Sequence, residues 1–92
     1  MSWQVLQTRR FARAYKKLKP NVVKDLDGAV AKIAAEPTIG EQKRGDLTQL
    51  RVYKFHSNGQ LYLLGYTLEE IPQLIYLEAI GPHENFYRDV KR

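Results

Sequence analysis

The apolar residues of this chain change their spacing once, near Leu50, and this change constrains the fold more than any other feature. Before Leu50 they recur every three to four residues, as on one side of an α-helix, and after it they alternate, as in a half-buried strand. A helical half followed by a strand half predicts an α+β domain. Ninety-two residues suffice for one modest core, so we expect a single domain over residues 1–92.

A short strand and two helices are predicted before Leu50. Residues 3–7 form the strand, and Thr8 is suited to cap the first helix. Lys19-Pro20-Asn21 ends this helix and begins a second one, with Asn21 as the expected cap. Glu36-Pro37 ends the second helix, because a residue before proline disfavours helical geometry. The two helices form a helical hairpin, and residues 37–48 are predicted to be a loop.

Three strands are predicted after the loop, giving an antiparallel sheet of about four strands with the first one included. Residues 49–56 and 60–67 flank a three-residue turn, and residues 74–80 form the last strand. This turn sets His56 opposite Gln60, and alternation then assigns the two sheet faces. The face expected to pack on the helices holds Tyr53, Phe55, Leu61, Leu63, Ile75, Leu77 and Ala79. The opposite face holds Lys54, His56, Gln60, Tyr62, Tyr66, Tyr76 and Glu78.

The second of these faces is predicted to lie open, since no predicted helix covers it. Tyrosines and cations on an open sheet suit RNA, because bases stack on aromatic rings and cations bind phosphates. The alternative is an ordinary solvent-facing sheet, since tyrosine is a good strand former. A short C-terminal helix, with His83 and Tyr87 one turn apart, is expected to close one edge of this face.

Positive charge is concentrated in the first helix. The formal net charge is +5, from fifteen Lys and Arg against ten Asp and Glu. Clustered positive charge indicates a polyanionic partner, whether nucleic acid, acidic protein or anionic lipid, and the alternative is a solvated helix face. Residues 1–19 contain no acid, and their bases are Arg9, Arg10, Arg13, Lys16, Lys17 and Lys19.

Composition argues against several classes of protein. The chain has no cysteine, which rules out disulfides and thiolate chemistry and fits a reducing compartment. No apolar run approaches the ~18 residues of a membrane span, and no signal peptide is evident, so we expect a cytoplasmic protein without membrane contact. His56 and His83 lack a clear third ligand, so no metal or other cofactor is expected.

The order of these segments resembles the RelE/ParE superfamily, the toxins of bacterial type II toxin–antitoxin pairs. The resemblance covers nearly the whole chain and depends on order, spacing and length rather than on one motif. It lies in the strand and basic helical hairpin, in Arg44-Gly45, in residues 50–64 around the turn, and in the ending over residues 80–87. It implies a helical hairpin packed on a twisted antiparallel sheet, with a short C-terminal helix.

The resemblance also implies one of two activities and a protein partner. RelE-like members are endoribonucleases that cut mRNA in the ribosomal A site. ParE-like members poison DNA gyrase and cut no RNA. Both kinds are neutralised by a cognate antitoxin.

RNA cleavage by the adjacent 2′-OH requires a base, an acid and positive charge on the transition state. By the resemblance, His83 matches a proton-transfer position, Lys54 a strand lysine at the scissile phosphate, and Tyr87 an aromatic residue that stacks on a nucleotide or orients the 2′-OH. His56 shares a face with Lys54 and is the candidate for the second proton transfer. The resemblance, together with the position of His56 beside Lys54 on the strand, thus predicts a site built from four residues.

Each candidate also has a structural alternative. His83 would fix the Gly-Pro corner, Tyr87 would anchor the last helix, and Lys54 would be a plain surface lysine. His56 would bind phosphate or flank the turn.

Other residues are weaker candidates. Arg51 and Arg88 would contact the RNA backbone, although alternation places Arg51 on the core side. Glu78 would act as a base, orient His83 or pair with Lys54. The basic helix would bind ribosomal RNA or an acidic antitoxin segment through Arg9, Arg10, Arg13, Lys16 and Lys17.

One departure from the resemblance bears on mechanism. RelE-like enzymes with an all-cationic centre carry an arginine early in the strand after the turn, where this chain has Gln60-Leu61-Tyr62. A histidine-based mechanism is therefore favoured over an arginine–lysine one. The same departure keeps gyrase poisoning open as the alternative, since a degenerate site is typical of that branch. A third hypothesis is an RNA-binding module without catalysis.

Overall fold

A five-stranded sheet in the order β1-β5-β4-β3-β2 organises the chain, and the predicted α+β class is confirmed. The computed structural model describes residues 3–45 and 49–90. The sheet is antiparallel except for β1, which runs parallel to β5. The elements are β1 (Gln4–Gln7), α1 (Arg9–Lys16), α2 (Pro20–Ala35), β2 (Glu41–Gln42), β3 (Arg51–Ser57), β4 (Gln60–Glu69), β5 (Leu74–Pro82) and α3 (His83–Val90).

The extra strand is β2, which lies inside the segment predicted as a loop. It has two residues, and it pairs antiparallel with Val52 and Arg51 at the start of β3. A strand of two residues, both exposed, is too short to show the alternation of buried and exposed side chains by which a strand is recognised. A single 3₁₀ turn over residues 37–39 connects α2 to it.

The helix boundaries follow local chemistry. Thr8 caps α1 as predicted, because its hydroxyl accepts a hydrogen bond of 3.1 Å from the Phe11 amide. The predicted cap at Asn21 was wrong, since α2 begins at Pro20 with Lys19 as its cap residue. Proline suits the first helical position, where an amide hydrogen would have no partner. Glu36-Pro37 ends α2 as predicted.

The turn between β3 and β4 contains two residues, where three were predicted. Asn58 and Gly59 have φ values of 55° and 73°, the left-handed geometry of a type I′ hairpin turn. Ser57 therefore pairs with Gln60, and His56 pairs with Leu61 rather than with Gln60. The buried Ser57 hydroxyl also donates to the Asp25 carboxylate at 2.6 Å, which attaches the turn to α2.

This register reverses the predicted facing of β4, because a shift of one residue exchanges the two sides of a strand. Tyr62 and Tyr66 were predicted on the open face, but they pack with the two helices. Leu61 and Leu63 were predicted under the helices, but they pair with His56 and Lys54 on the opposite face. These four assignments were wrong for the same physical reason.

A bulge in β5 changes its facing partway along the strand. Gly65 pairs with Ala79 and Tyr66 with Leu77, which leaves Glu78 as an extra residue. Ile75 and Leu77 pack on the helices as predicted, whereas Ala79 lies on the opposite side, against the prediction. Strict alternation fails here because it assumes an unbroken ladder.

Each face of the sheet carries its own apolar cluster. The face under α1 and α2 buries Phe11, Leu26, Ala29, Ile33, Leu64, Tyr66, Ile75, Leu77 and Ile80. The other, termed here the α3 face, buries Leu50, Val52, Leu63, Ala79 and Phe86. As predicted, the C-terminal helix α3 closes part of this face, but it also buries an apolar cluster there, where an open face was predicted. The difference arises because Leu63 faces α3 and gives the helix an apolar surface to pack on.

Phe86 and Gly65 fix how closely α3 approaches the sheet. Phe86 is 2% exposed, and a Cβ added to Gly65 would lie 2.9 Å from its Cζ atom. Since two carbon atoms do not approach so closely without displacement, the glycine leaves the space that the ring occupies. The packing of the Phe86 ring against Gly65, which has no side chain, therefore sets the distance between α3 and the sheet.

Tyr66 joins the sheet to the connection between α2 and β2. Its buried hydroxyl donates to the Pro37 carbonyl at 2.6 Å and accepts from the Gly40 amide at 2.8 Å. Burial raises the pKa of this phenol above its usual value. The Arg51 guanidinium donates to the carbonyls of Gly40 and Thr38 at 2.9 and 3.3 Å. These bonds hold β2 beside β3.

None of the helices within residues 3–45 and 49–90 is both long and apolar enough to span a membrane.

Replacing Tyr66 with phenylalanine is expected to destabilise the fold by about 1–3 kcal/mol, because the buried Gly40 amide and the half-buried Pro37 carbonyl lose their partner. Urea unfolding measures the loss. Tyr76→Phe, at a half-buried position, is the matched control and should cost less. Equal losses for the two variants would contradict a special role for the Tyr66 hydroxyl.

Two glycine-to-alanine variants should change stability in opposite directions. Gly65→Ala places a methyl group against Phe86 and should destabilise α3. Gly28→Ala, in the interior of α2 with nothing within 4 Å, should stabilise by roughly 0.5–1 kcal/mol. Thermal unfolding of both variants tests this, and a loss of stability at Gly28 would sink the helix-propensity argument.

Candidate nucleic-acid interface

Three of the predicted catalytic residues lie on the α3 face, and the fourth, His83, begins the helix that packs on it. Lys54 and His56 pair with Leu63 and Leu61, and Leu63 belongs to the cluster beneath α3. His83 begins α3, about one helical turn before Phe86 and Tyr87, which pack on the sheet. Lys54, His56 and His83 are exposed, while Tyr87 is half-buried. The face thus presents two imidazoles, an ammonium and a phenol.

Contacts at both ends hold α3 in place. Near its start, the Gln60 side chain donates to the Glu84 carboxylate at 3.4 Å. At its end, the Arg10 guanidinium donates to the Val90 carbonyl at 3.1 Å. A cation is favourable there because helix C-termini carry partial negative charge. His83 and Tyr87 are therefore placed by the docking of a whole helix rather than by a loop.

Tyr87 lies between an aromatic edge and a cation. Its ring meets Phe86 at 5.1 Å between centroids with an interplanar angle of 90°, and the Lys43 ammonium lies 5.3 Å from its centroid. The Lys43 ammonium also contacts the Glu41 carboxylate at 3.2 Å. The pKa of Lys43 is raised, chiefly by hydrogen bonding with the Tyr87 side chain and further by Glu41, against the opposing effect of burial. Nothing in the sequence placed Lys43 at the site, because a lysine in a predicted loop carries no signal of what it contacts.

Glu78 is placed away from the other candidates. Its carboxylate accepts a hydrogen bond of 2.8 Å from Thr67. Lys54 pairs with Leu63, four residues from Thr67 along β4, which corresponds to about 13 Å at 3.3 Å per residue. The suggested cross-strand pair of Glu78 and Lys54 does not form, because β4 lies between β3 and β5.

The two arginines proposed as weaker RNA contacts differ in their surroundings. Arg51 lies on the core side, as alternation predicted, and its guanidinium is bonded to the connection after α2. Arg88 is exposed on α3, where it donates to Asn85 at 3.0 Å and lies 4.0 Å from Asp89. Only Arg88 therefore has a side chain directed to solvent.

The basic residues of α1 stand beside the end of α3. Among the described strands, β1 pairs only with residues 74–77 of β5. Residues 79–82, at the end of β5, form the floor of a groove between α1 and α3. The groove has a volume of about 400 Å³, and Arg10, Arg13, Lys17 and Asp89 line it. The side chains on α1 that were predicted to bind RNA, all exposed, are Arg9, Arg10, Arg13, Lys16 and Lys17.

A second groove opens where β3 becomes the edge of the sheet. In the part of the chain that the structure describes, β2 pairs only with Arg51 and Val52, so Lys54 and His56 stand at a free edge. Lys24 and Lys32 of α2 join them around a groove of about 470 Å³. Sequence reasoning did not include these two lysines, because residues 20–42 carry more acids than bases.

Within residues 3–45 and 49–90, no three His, Cys, Asp or Glu side chains come together as a metal site would require.

Comparison with known proteins identifies the family. A family model described as the ParE-like toxin of type II bacterial toxin–antitoxin systems matches residues 5–91. No curated protein sequence matches the chain.

Solved structures share the fold at low sequence identity. A mutant of the E. coli toxin RelE in the free state is 19% identical, with 99% of this chain and 92% of that chain covered and a TM-score of 0.78. The toxin–antitoxin complex RelBE2 from Mycobacterium tuberculosis is 18% identical, with coverages of 90% and 100% and a TM-score of 0.78. The intact E. coli RelBE complex is 19% identical, with coverages of 86% and 94% and a TM-score of 0.72.

The family model spans nearly the whole chain, and the fold is that of RelE. The chain therefore belongs to the ParE-like toxins of type II bacterial toxin–antitoxin systems, within the RelE/ParE superfamily.

Proposed function

We propose that this toxin is an endoribonuclease that cleaves mRNA on the ribosome and so inhibits translation. The observation that carries the proposal is that Lys54, His56 and Tyr87 share one face of the sheet and that His83 begins the helix packed on that face. Two imidazoles, a cation and an aromatic ring are the kinds of group that RNA cleavage by an internal nucleophile uses.

The proposed reaction needs no group beyond the RNA and these side chains. The 2′-oxygen attacks the adjacent phosphorus, and one imidazole takes its proton. The bond from phosphorus to the 5′-oxygen breaks, and the second imidazole gives that oxygen a proton. The products are a 2′,3′-cyclic phosphate and a 5′-hydroxyl. His83 is the first choice for a proton-transfer group, and His56 is the second.

Lys54 and Tyr87 would bind and orient the RNA rather than transfer protons. The Lys54 ammonium is exposed and would stabilise the extra negative charge of the pentavalent phosphorane. Tyr87, with its ring fixed against Phe86, would stack on a nucleotide or orient the 2′-OH. Lys24 and Lys32, in the groove that Lys54 and His56 also line, would bind phosphates flanking the cut.

The ribosome and an antitoxin are the proposed partners. The exposed cations of α1 would bind ribosomal RNA through phosphates, without sequence preference. RelE from E. coli has been solved with its antitoxin, and a cognate antitoxin is proposed for this toxin too. An acidic antitoxin segment would compete with RNA for α1.

Gyrase poisoning is the second candidate function. The matching family model is ParE-like, and β4 begins with Gln60-Leu61-Tyr62, where an all-cationic ribonuclease site would have an arginine. This function predicts a DNA-damage response and trapped gyrase–DNA complexes during toxicity, with intact mRNA.

His83→Ala should abolish cleavage, with a loss of about 10²–10⁴-fold, because a positioned proton-transfer group contributes that much. Primer extension on a reporter mRNA in cell-free translation measures the new 5′ ends. Glu70→Gln, at an exposed position in the connection between β4 and β5, is the control and should cut as wild type does. Intact mRNA with wild-type toxin would contradict the nuclease proposal, and a gyrase supercoiling assay would then test the second function.

Charge reversal of Arg9 and Arg13 to glutamate should weaken sedimentation with ribosomes. The dependence of affinity on salt should become shallower by roughly one unit per lost phosphate contact. Arg10 is left unchanged, since it holds the end of α3. Arg9→Lys and Arg13→Lys together form the control, because they keep the charge. Unchanged sedimentation of the reversed variant would refute the role of α1.

A further inference from the structure

Lys43 contacts Tyr87 and has no part in the reaction proposed above. Its ammonium lies 5.3 Å from the centroid of the Tyr87 ring and 3.2 Å from the Glu41 carboxylate. The Lys43 side chain is 23% exposed, whereas that of Glu41 is 69% exposed. A lysine that turns inward against an aromatic ring, with an acid holding its charged end, is unusual among exposed loop lysines, which extend into water.

The backbone at Lys43 is fixed independently of its side chain. The Lys43 amide donates to the Leu50 carbonyl at 2.9 Å, which continues the pairing of β2 with β3. Removal of the ammonium therefore leaves the main-chain anchor of this segment in place. The side chain contributes a charge at a defined position rather than the connection itself.

The Tyr87 ring is limited on two sides. The edge-to-face contact with Phe86, which is buried against the sheet, restricts it on one side. The Lys43 ammonium, attracted to the electron-rich ring face, restricts it from the direction of β2. Tyr87 is one of the residues on which the proposed chemistry depends, and its orientation decides where a base would stack.

We propose that Lys43 is a positioning residue of the ribonuclease site, and that its ammonium, held by Glu41, fixes the Tyr87 ring in the orientation that receives the RNA. This inference rests on the proposed function. Catalysis depends steeply on placement, since a shift of about 1 Å in a bound group is enough to lose a factor of about 10² in rate. Lys43 acts through Tyr87, so its contribution requires the tyrosine.

A double-mutant cycle tests this dependence. Lys43→Met removes the charge and keeps most of the stem, Lys43→Arg keeps a cation over the ring, and each is made with Tyr87 and with Tyr87→Ala. Single-turnover cleavage of ribosome-bound reporter mRNA gives the rate and the half-saturating toxin concentration separately. Lys43→Met should lower the rate by about tenfold or more with little change in half-saturation, and Lys43→Arg should restore most of it.

In the Tyr87→Ala background, Lys43→Met should cause no further loss. Equal losses in both backgrounds would overturn the proposal, because Lys43 would then act independently of Tyr87. Wild-type cleavage by Lys43→Met would overturn it as well. Glu41→Gln provides a second route, since it leaves the lysine in place without its anchor. It should cause a smaller loss in the same direction.

A measurement of the ring itself separates this inference from the proposed function. Fluorotyrosine incorporation gives a ¹⁹F resonance for Tyr87, assigned by its disappearance in Tyr87→Phe. Lys43→Met should shift and broaden this resonance, and Lys43→Arg should leave it near the wild-type position. If the wild type cuts no mRNA while these shifts appear, the nuclease proposal fails and the positioning of Tyr87 stands. An unchanged resonance in Lys43→Met overturns the positioning.

Discussion

The register between β3 and β4 is the constraint on which the rest of the structure depends. Asn58 and Gly59 both adopt positive φ, so the turn closes over two residues and aligns Ser57 with Gln60. That alignment places Tyr66 beneath the helical hairpin and Leu63 on the opposite face. With one more residue in the turn, Leu63 would lie under the helices and α3 would lose its apolar surface. A two-residue turn thus decides what each face of the sheet can bind.

The α3 face then follows from that register. Leu63, Val52 and Ala79 form a small apolar floor, and Phe86 seats on it above Gly65. Because α3 starts directly after β5, its docking fixes His83 at the end of the sheet and brings Tyr87 toward Lys43. The candidate residues are therefore divided equally between a strand and a helix. The strand supplies Lys54 and His56, and the helix supplies the other two candidates.

Charge is arranged around this site in three places. The exposed bases of α1 border the end of α3, Lys24 and Lys32 border the free edge of β3, and Lys43 lies at Tyr87. An RNA strand that crossed the α3 face would meet cations at either margin, which suits a polyanion held mainly through its phosphates.

Local signals in the sequence determined the elements of this protein. The helical period, the Thr8 cap and Glu36-Pro37 predicted the helical hairpin, and the order of segments pointed to the family that the matching model confirms. The candidate residues could be named from the sequence, but the side chains that surround them in the fold could not. The pairing of β2 with β3 is what brings Lys43 to Tyr87, and the bulge at Glu78 turns the Ala79 side chain to the opposite face of the sheet. The sequence thus determined the helices and the longer strands, because their preferences are local, but it did not determine β2. The facing of β4 follows from the Asn58-Gly59 turn, a local signal that was counted as three residues. Only the tertiary structure decided the bulge at Glu78, the pairing of β2 and the docking of α3, because each depends on contacts between segments that are distant along the chain.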